Sequence, residues 1–407
     1  MKPDVLIIGG GLNGAALAIA LARAGMPVTL VESRPLDTFT AEDFDGRAYA
    51  LSLASKRMLA ALELWPSMAD EAQPILDIRV ADGRPGEGAG FGAVHFDHAE
   101  IEEGPMGWIV EDRVVRRALI DRLGETPGID IRAPARVVDH QTTASGAEAT
   151  LESGETLRTG LIVACDGRES PTARRAGIHR IRHDYGQSAI VCAVAHERDH
   201  GGAAHQLFLP AGPFAILPLP GGHRSSIVWA ERPALAARLR NAAEDEFLAA
   251  LRPRFGDFLG PIRLAGKRFV YPLSLSLAER MTAPRLALLG DAAHGIHPLA
   301  GQGFNLGLRD SAALAEVLVE AARRGEDVGS PLVLARYGAW RSFDNTTTAL
   351  AMSALDGLFS NDNPLLRLGR NLGLAAVERL PALKRRFIRE AAGLTGALPR
   401  LLEGRPL

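Results

Sequence analysis

Three glycines near the start of the chain have a spacing that can do chemistry. In VLIIGGGLNGAAL (5–17), Gly9, Gly11 and Gly14 form G-x-G-x-x-G. The first permits a tight turn, the second lets the backbone approach a pyrophosphate, and the third lets a helix pack closely on a strand. Leu12 stands at the helix start, where free N–H groups and the positive dipole end face an anion. Glu32, with Ser33 beside it, follows 23 residues after Gly9. A carboxylate at that distance accepts hydrogen bonds from an adenosine ribose. Two further motifs pair an aspartate with a glycine after an apolar run: Asp166-Gly167 in LIVACDGRES, and Gly290-Asp291 in RLALLGDAAHGIHPLAGQGFNLGLRD. The second continues through His297-Pro298, Gly301-Gln302-Gly303 and Asn305. The glycines alone indicate a dinucleotide and do not separate NAD from FAD.

The elements that position these motifs follow from periodicity. Residues 4–8 read as a buried strand and 12–24 as a helix with Leu12, Ala15, Ala16, Ile19 and Ala20 on its apolar face. Gly25 ends the helix, and a second strand over 28–31 completes a βαβ unit. Helices are expected over 51–64, 112–123 and 303–323, and over most of the chain beyond 331. Residues 161–164 and 286–289 read as buried strands, 135–139, 148–151 and 156–158 as a meander, and GRPGEGAGFG (83–92) as a loop. Between 186 and 270 the texture changes to short strands (190–195, 214–217, 226–229) with one helix near 244–252. Dinucleotide-type elements are therefore separated in sequence, with a β-rich region inserted between them.

Taken together, the three motifs resemble those of the single-component flavoprotein aromatic hydroxylases, the group of para-hydroxybenzoate hydroxylase. Within that group, DGRAYALSLASKRML (45–59) and HPLAGQGFNLGLRD (297–310) closely resemble the UbiH-type ubiquinone-biosynthesis hydroxylases, and the likeness runs into RNLGLAAVERLPALKRRF near the C-terminus. The resemblance implies an α/β (α+β) protein: a Rossmann-like FAD-binding domain (1–75, 99–180, 271–345) interleaved with a β-rich substrate domain (76–98, 181–270), and a helical C-terminal region (346–407). It implies FAD as cofactor and NAD(P)H as cosubstrate, with no second G-x-G-x-x-G for a separate nicotinamide domain. The implied reaction reduces the flavin, loads it with O2 as a flavin hydroperoxide, and hydroxylates the ring of a prenylated phenol.

The same resemblance assigns roles. Gly9, Gly11, Leu12, Gly14, Glu32 and Ser33 are implied to hold the adenosine and pyrophosphate. Asp291 at its strand end would accept hydrogen bonds from the ribityl chain, beside Gly290. Pro298, Gly301, Gln302, Gly303 and Asn305 form the turn whose helix aims N–H groups at the isoalloxazine, favouring the reduced flavin. Asp166 and Gly167 are associated with both FAD and nicotinamide. Arg47 is implied near flavin and substrate, and Arg113 in VEDRVVRRAL on the phosphate side. Catalysis is flavin-borne, with Arg47, His297 and Pro298 as candidate contributors. One departure concerns Ala173, where the family commonly has arginine; Arg174 follows it.

Composition sets the exclusions. Lys and Arg number 46 against 48 Asp and Glu, so no basic surface calls for nucleic acid. The two cysteines, Cys165 and Cys192, make neither a disulfide framework nor a zinc spacing, which suits a reducing cytoplasm. Cys165 reads as an apolar filler, and His95, His98, His196 and His200 as surface residues rather than metal ligands. Tyr185 and Tyr271 are candidates to polarise a phenol, and GPFAILPLPGG (212–222) to line a substrate cavity. Neither a signal peptide nor a membrane-crossing run is expected. A prenylated substrate then implies a cytoplasmic protein meeting the inner membrane peripherally, with Lys384, Arg385, Arg386 and Arg389 as its contact; a quinone-biosynthesis complex or a homo-oligomer stays open. The rival readings are a hydroxylase of a soluble aromatic, a flavin reductase without oxygen insertion, and an FAD-bound scaffold without catalysis.

Overall fold

The computed structural model describes residues 5–39, 47–296, 302–342, 358 and 364–407. Val5–Ile8 is wholly apolar and lies between Leu161–Ala164 and Val28–Val31, parallel to both. A strand buried on both faces needs no polar alternation, and helices cover such sheets on either side. The six-stranded sheet runs Thr282–Ala283, Leu286–Leu288, Leu161–Ala164, Val5–Ile8, Val28–Val31, Ile129–Arg132. Four stretches far apart in sequence thus build the floor of one site. The Leu12–Arg23 and Gln302–Arg323 helices pack on this sheet through Ala16, Leu17, Ile19, Leu308, Ala312 and Leu314.

A second, nine-stranded sheet carries Arg180–His196, Ala203–Leu209, Gly212–Leu219, Arg224–Glu231 and Phe269–Ala278, joined by Asp77–Arg84 and Gly88–Asp97. The strand Phe269–Ala278 crosses the domain boundary expected at 270, so residues 271–278 share the sheet of the β-rich region. Residues 83–92, expected as a loop, are mostly hairpin: both flanking strands continue into the stretch, leaving a short turn. Gly86 and Gly88 take the positive φ of that turn, and Gly92 has another cause. A Cβ on Gly92 would run into the backbone of Asn371, because the Pro364–Arg379 helix lies directly on this strand. Two helices, Pro233–Asn241 and Glu244–Phe255, stand where one was expected.

That C-terminal helix is clamped by polar contacts. Asp82, buried in the sheet, pairs with Arg370 at 2.9 Å and Arg367 at 3.2 Å. The Gly92 amide donates to Asn371 at 3.2 Å, and the His95 amide donates to Glu378 at 2.9 Å. Breaking a buried pair such as Asp82–Arg370 leaves an uncompensated charge, so the helix is held over the sheet rather than merely resting on it.

Candidate functional site

The first glycine turn is shaped by close approach on one side and open space on the other. Gly9 has φ +106°, and a Cβ there would strike the carbonyl of Cys165. A Cβ on Gly14 would strike the carbonyl of Gly9. Nothing lies within 4 Å of a Cβ on Gly11. Gly11 caps the Leu12–Arg23 helix with no side-chain hydrogen bond, and the first turn holds no acid. The positive end of that helix is therefore unneutralised and faces space. Glu32 is buried behind the turn: Oε2 accepts from the Gly10 amide at 2.8 Å, and Oε1 from Ser33 Oγ at 3.1 Å and the Arg34 amide at 3.0 Å. A carboxylate offers about four acceptor positions, so Glu32 braces the turn and retains capacity for a ribose hydroxyl.

The second motif is braced from within. Asp166 accepts from Ser170 Oγ at 2.5 Å and the Thr172 amide at 3.0 Å, which fixes the start of the Pro171–Arg175 helix. Ala173 is fully buried there, and Arg174 reaches the Glu169 carbonyl at 3.2 Å. Gly167, at φ +85°, faces open space. In the third motif Asp291 is exposed on the cavity wall, while Arg180 binds the carbonyls of Asp291 and Ala292. The Gly290 amide donates to the buried Asp310 at 3.2 Å. Asp310 also receives His294 Nε2 at 2.5 Å and Arg341 Nε at 2.8 Å. Burial alone would raise the Asp310 carboxyl, but the charges of His294 and Arg341 outweigh it and hold the pKa at about 2.

Asn305, expected against the cofactor, spends its side chain on the protein. Its Oδ1 accepts from the Ser52 amide at 3.0 Å and Ser55 Oγ at 2.8 Å, and its Nδ2 donates to the Ala50 carbonyl at 2.8 Å. It fastens the start of the Gln302–Arg323 helix to the Ala48–Ser52 strand. A Cβ on Gly303 meets nothing. His297, Pro298 and Gly301 lie outside the described residues.

Arg47, Tyr49, Asp112 and Arg116 form a cluster the sequence did not single out as a unit. Asp112 is buried and takes Arg47 at 3.1 Å, Arg116 at 2.7 Å and the Tyr49 hydroxyl at 2.5 Å. Burial and the neighbouring Asp112 raise the Tyr49 pKa, keeping it a phenol that donates. Its ring lies 5.1 Å from that of Phe304, at the flavin turn. Arg113, expected on the phosphate side, turns instead to Glu111 at 2.6 Å and Glu71 at 3.7 Å. Arg116, one helical turn beyond Asp112, takes the cavity-lining place with Arg34 and Arg47. An i,i+4 acid–arginine pair on one helix face was the available signal.

These parts open onto one cavity of about 1480 Å³. That exceeds the ~300–1000 Å³ of ordinary small-molecule pockets. Its lining includes Gly11, Leu12, Asn13, Gly167 and Asp291 of the three motifs, and the apolar side chains of Ile75, Ile78, Val80, Val94, Phe96 and Met106. Ala215 and Leu217 from the 212–222 stretch line it, as does Tyr271, which is partly exposed; Tyr185 packs in neighbouring apolar clusters. His205 stands on the wall with its pKa pushed down to about 4, by burial and then by Arg79. Burial pushes the Cys165 thiol up, so it is not a thiolate. Asn13 was missed. Its amide wedges against Gly290 and Gly307, and its buried Oδ1 has no hydrogen-bond partner among the described residues. An open glycine turn at a helix start, with Arg34, Arg47 and Arg116 among the arginines on the wall, fits a dinucleotide carrying a pyrophosphate, and the orphaned acceptor of Asn13 suits one of its hydroxyl groups.

Two expectations are corrected. His196 and His200 are buried: His196 bonds the Arg198 carbonyl at 2.7 Å and Ser225 Oγ at 3.0 Å, and His200 bonds the Leu219 carbonyl at 2.8 Å. Lys384 is buried too, paired with Glu100 at 2.7 Å, which removes it from a membrane-facing set; Arg389 stays exposed and pairs with Glu103 at 2.7 Å. Among the described residues no group of three or more His, Cys, Asp or Glu is arranged for a metal.

A model described as FAD binding domain matches residues 2–342. The ubiquinone hydroxylase UbiL of Rhodospirillum rubrum is 48% identical over 99% of this chain and 93% of its own length. The 3-demethoxyubiquinol 3-hydroxylase of Escherichia coli is 37% identical over 96% of this chain and 98% of its own length. The mitochondrial ubiquinone biosynthesis monooxygenase COQ6 of Rattus norvegicus is 30% identical over 95% and 90%. Among solved structures, p-nitrophenol 4-monooxygenase of Pseudomonas putida superposes with TM-score 0.79 over 97% of this chain and 98% of its own, at 20% identity, a likeness of fold.

Proposed function

We propose, from the premise that the chain belongs to the FAD-binding domain family and within it to the ubiquinone hydroxylases, that it is an FAD-dependent monooxygenase adding a hydroxyl group to the aromatic ring of a prenylated phenol in ubiquinone biosynthesis, with NAD(P)H and O2 as cosubstrates. One observation carries the reading: a single cavity is lined both by the open glycine turn at Gly11, with Tyr49 and Phe304, and by a wall of aliphatic side chains. FAD held at the glycine turns would supply the redox chemistry of a monooxygenase, with NAD(P)H as the source of electrons and O2 as the source of the ring oxygen and of the water released.

The chain's own residues bind, orient and exclude water. The backbone at Gly11 and Leu12, in the turn that Gly9 and Gly14 shape, takes the pyrophosphate, with Arg34 and Arg116 neutralising its charge and Glu32 and Ser33 at the ribose. Asp291 takes the ribityl hydroxyls, and Gly167 leaves its side of the cavity open. Arg47, held by Asp112, stands on the wall between cofactor and ring. Gln302 and Gly303 start the helix whose positive end faces the same region. His297, Pro298 and Gly301 remain candidates on the sequence alone. The aliphatic wall keeps water from the reacting centre and matches a hydrocarbon tail.

Such a substrate partitions into membranes. No described helix is long and apolar enough to cross one, so the proposed location is peripheral, at the cytoplasmic face of the inner membrane. The test is turnover under 18O2 with NADH or NADPH and prenyl-phenols of graded tail length. Label in the new ring hydroxyl is expected; label only from water, or a protein that refuses FAD, rejects the reading.

A further inference from the structure

The two C-terminal helices, Pro364–Arg379 and Pro381–Ala391, are apolar on both sides. Leu374, Val377 and Ile388 line the cavity. On the outside, Leu368, Leu372, Leu380 and Phe387 stand 51, 56, 52 and 47% exposed. With Leu358 they make half of the ten conspicuously exposed large apolar side chains among the described residues. A helix with apolar side chains on its outer face as well as its inner one expects cover on both, and an exposed apolar cluster rimmed by polar residues marks an interaction site. Leu358 and Phe387 are at once cavity lining and outer surface, so the apolar interior and the apolar exterior meet at these helices.

Charge tells what the cover is. Residues 364–391 carry seven Lys and Arg against two Glu, in a chain whose net charge is −2. Lys384 and Arg389 are consumed by ion pairs within the fold. Arg379, Arg385 and Arg386 are exposed and form no ion pair with a described residue. Apolar side chains flanked by outward cations suit a surface that is hydrocarbon beneath and anionic above; a second copy of this chain would set the same cations against each other across a two-fold axis.

We infer that the outer face of these two helices docks on an anionic lipid surface, through Leu368, Leu372 and Leu380 with Arg379, Arg385 and Arg386, and that a prenyl tail passes from that surface into the cavity beside Phe387. The inference deepens the proposed function and rests on it for the tail, but not for the docking.

The test uses full-length, FAD-loaded protein and sedimentation with vesicles of pure phosphatidylcholine or of phosphatidylcholine with phosphatidylglycerol. Two variants leave the cavity wall intact: Leu368→Ser with Leu372→Ser, and Arg385→Gln with Arg386→Gln. Wild type is expected to sediment with the anionic vesicles. Each variant should lose about tenfold or more in partition, since a cation near an anionic surface contributes ~1 kcal/mol and tenfold is ~1.4 kcal/mol. FAD content and turnover of a short-tailed phenol should stay at wild-type level, while turnover of a vesicle-borne long-tailed phenol falls. Equal sedimentation of wild type and variants, or none with either vesicle, overturns the docking. So does a concentration-dependent dimer in light scattering that the leucine variants abolish. Vesicle binding without turnover of any phenol leaves the docking standing and rejects the enzymatic reading instead.

Discussion

Asp310 offers a quantitative test of how the flavin turn is held. It is fully buried and receives the Gly290 amide, His294 Nε2 and Arg341 Nε, and Arg341 is itself fully buried. Asp310→Asn keeps the volume and removes the charge, leaving the Arg341 guanidinium without its anion. Breaking one side of a buried pair costs about 3–5 kcal/mol. The sign with pH follows from the depressed pKa. An unfolded aspartate titrates near 3.9, and the folded one at about 2. Its stabilisation is therefore complete above the unfolded value and lost as pH falls from about 4 through 2, a contribution of order 2–3 kcal/mol. Urea denaturation followed by tryptophan fluorescence should show the variant less stable by about 3–5 kcal/mol at pH 7, with the gap constant down to about pH 5 and narrowing below pH 4. Asp310→Asn with Arg341→Met should be closer to wild type than Asp310→Asn alone, because removing both charges of a buried pair is often nearly neutral. A single variant within ~1 kcal/mol of wild type, or a gap that widens on acidification, would refute the account of Asp310 as a charged hub.

The other expectations separate ligand roles from folding roles. Gly11→Ala meets open space, so its melting temperature without FAD should hold while FAD affinity falls about tenfold or more; Gly14→Ala, which drives a methyl into the Gly9 carbonyl, should lose folding stability itself, and equal behaviour of the two counts against a ligand at the turn. Arg116→Met should weaken FAD in a fluorescence titration more than Arg113→Met, since only Arg116 lines the cavity. Asp291→Ala should lower FAD retention through gel filtration more than Asp166→Ala, whose carboxylate already caps a helix; the reverse order would reassign the two motifs.

What the sequence disclosed and what it withheld divide along a physical line. A glycine spacing encodes backbone conformation, so the strand, turn and helix around Gly9, Gly11 and Gly14 were legible before any tertiary contact was considered. The direction of a side chain around a helix depends on what packs against it. That is why Arg113 was expected where Arg116 stands: both lie on Asp112–Glu125, and only the position of Glu71 and Glu111 decides which one turns away. Partners remote in sequence were equally hidden. Nothing near Lys384 announces Glu100, and nothing near Gly92 announces Asn371, so a paired cation read as a free one and a tightly packed hairpin read as a loop.

The same remoteness explains how the site is made rigid. Asn13 wedges between Gly290 and Gly307, Asn305 reaches Ala50, Ser52 and Ser55, and Asp310 ties Gly290 to Arg341. Each strut joins stretches tens to hundreds of residues apart, and those of Asn305 and Asp310 are hydrogen-bonded and buried, where an unmade hydrogen bond costs about 1–3 kcal/mol. Apolar packing alone would hold these elements together while tolerating small slides between them. A buried amide or carboxylate tolerates few positions, because only a few satisfy its donors and acceptors. The turns at Gly9–Gly14 and Gly290–Asp291 are therefore fixed relative to one another before any ligand arrives. That preorganisation is what a loosely contacted, aliphatic substrate cavity cannot supply for itself. The polar struts sit around the cofactor end, and the opposite end is left to side chains that accept a hydrocarbon in many registers.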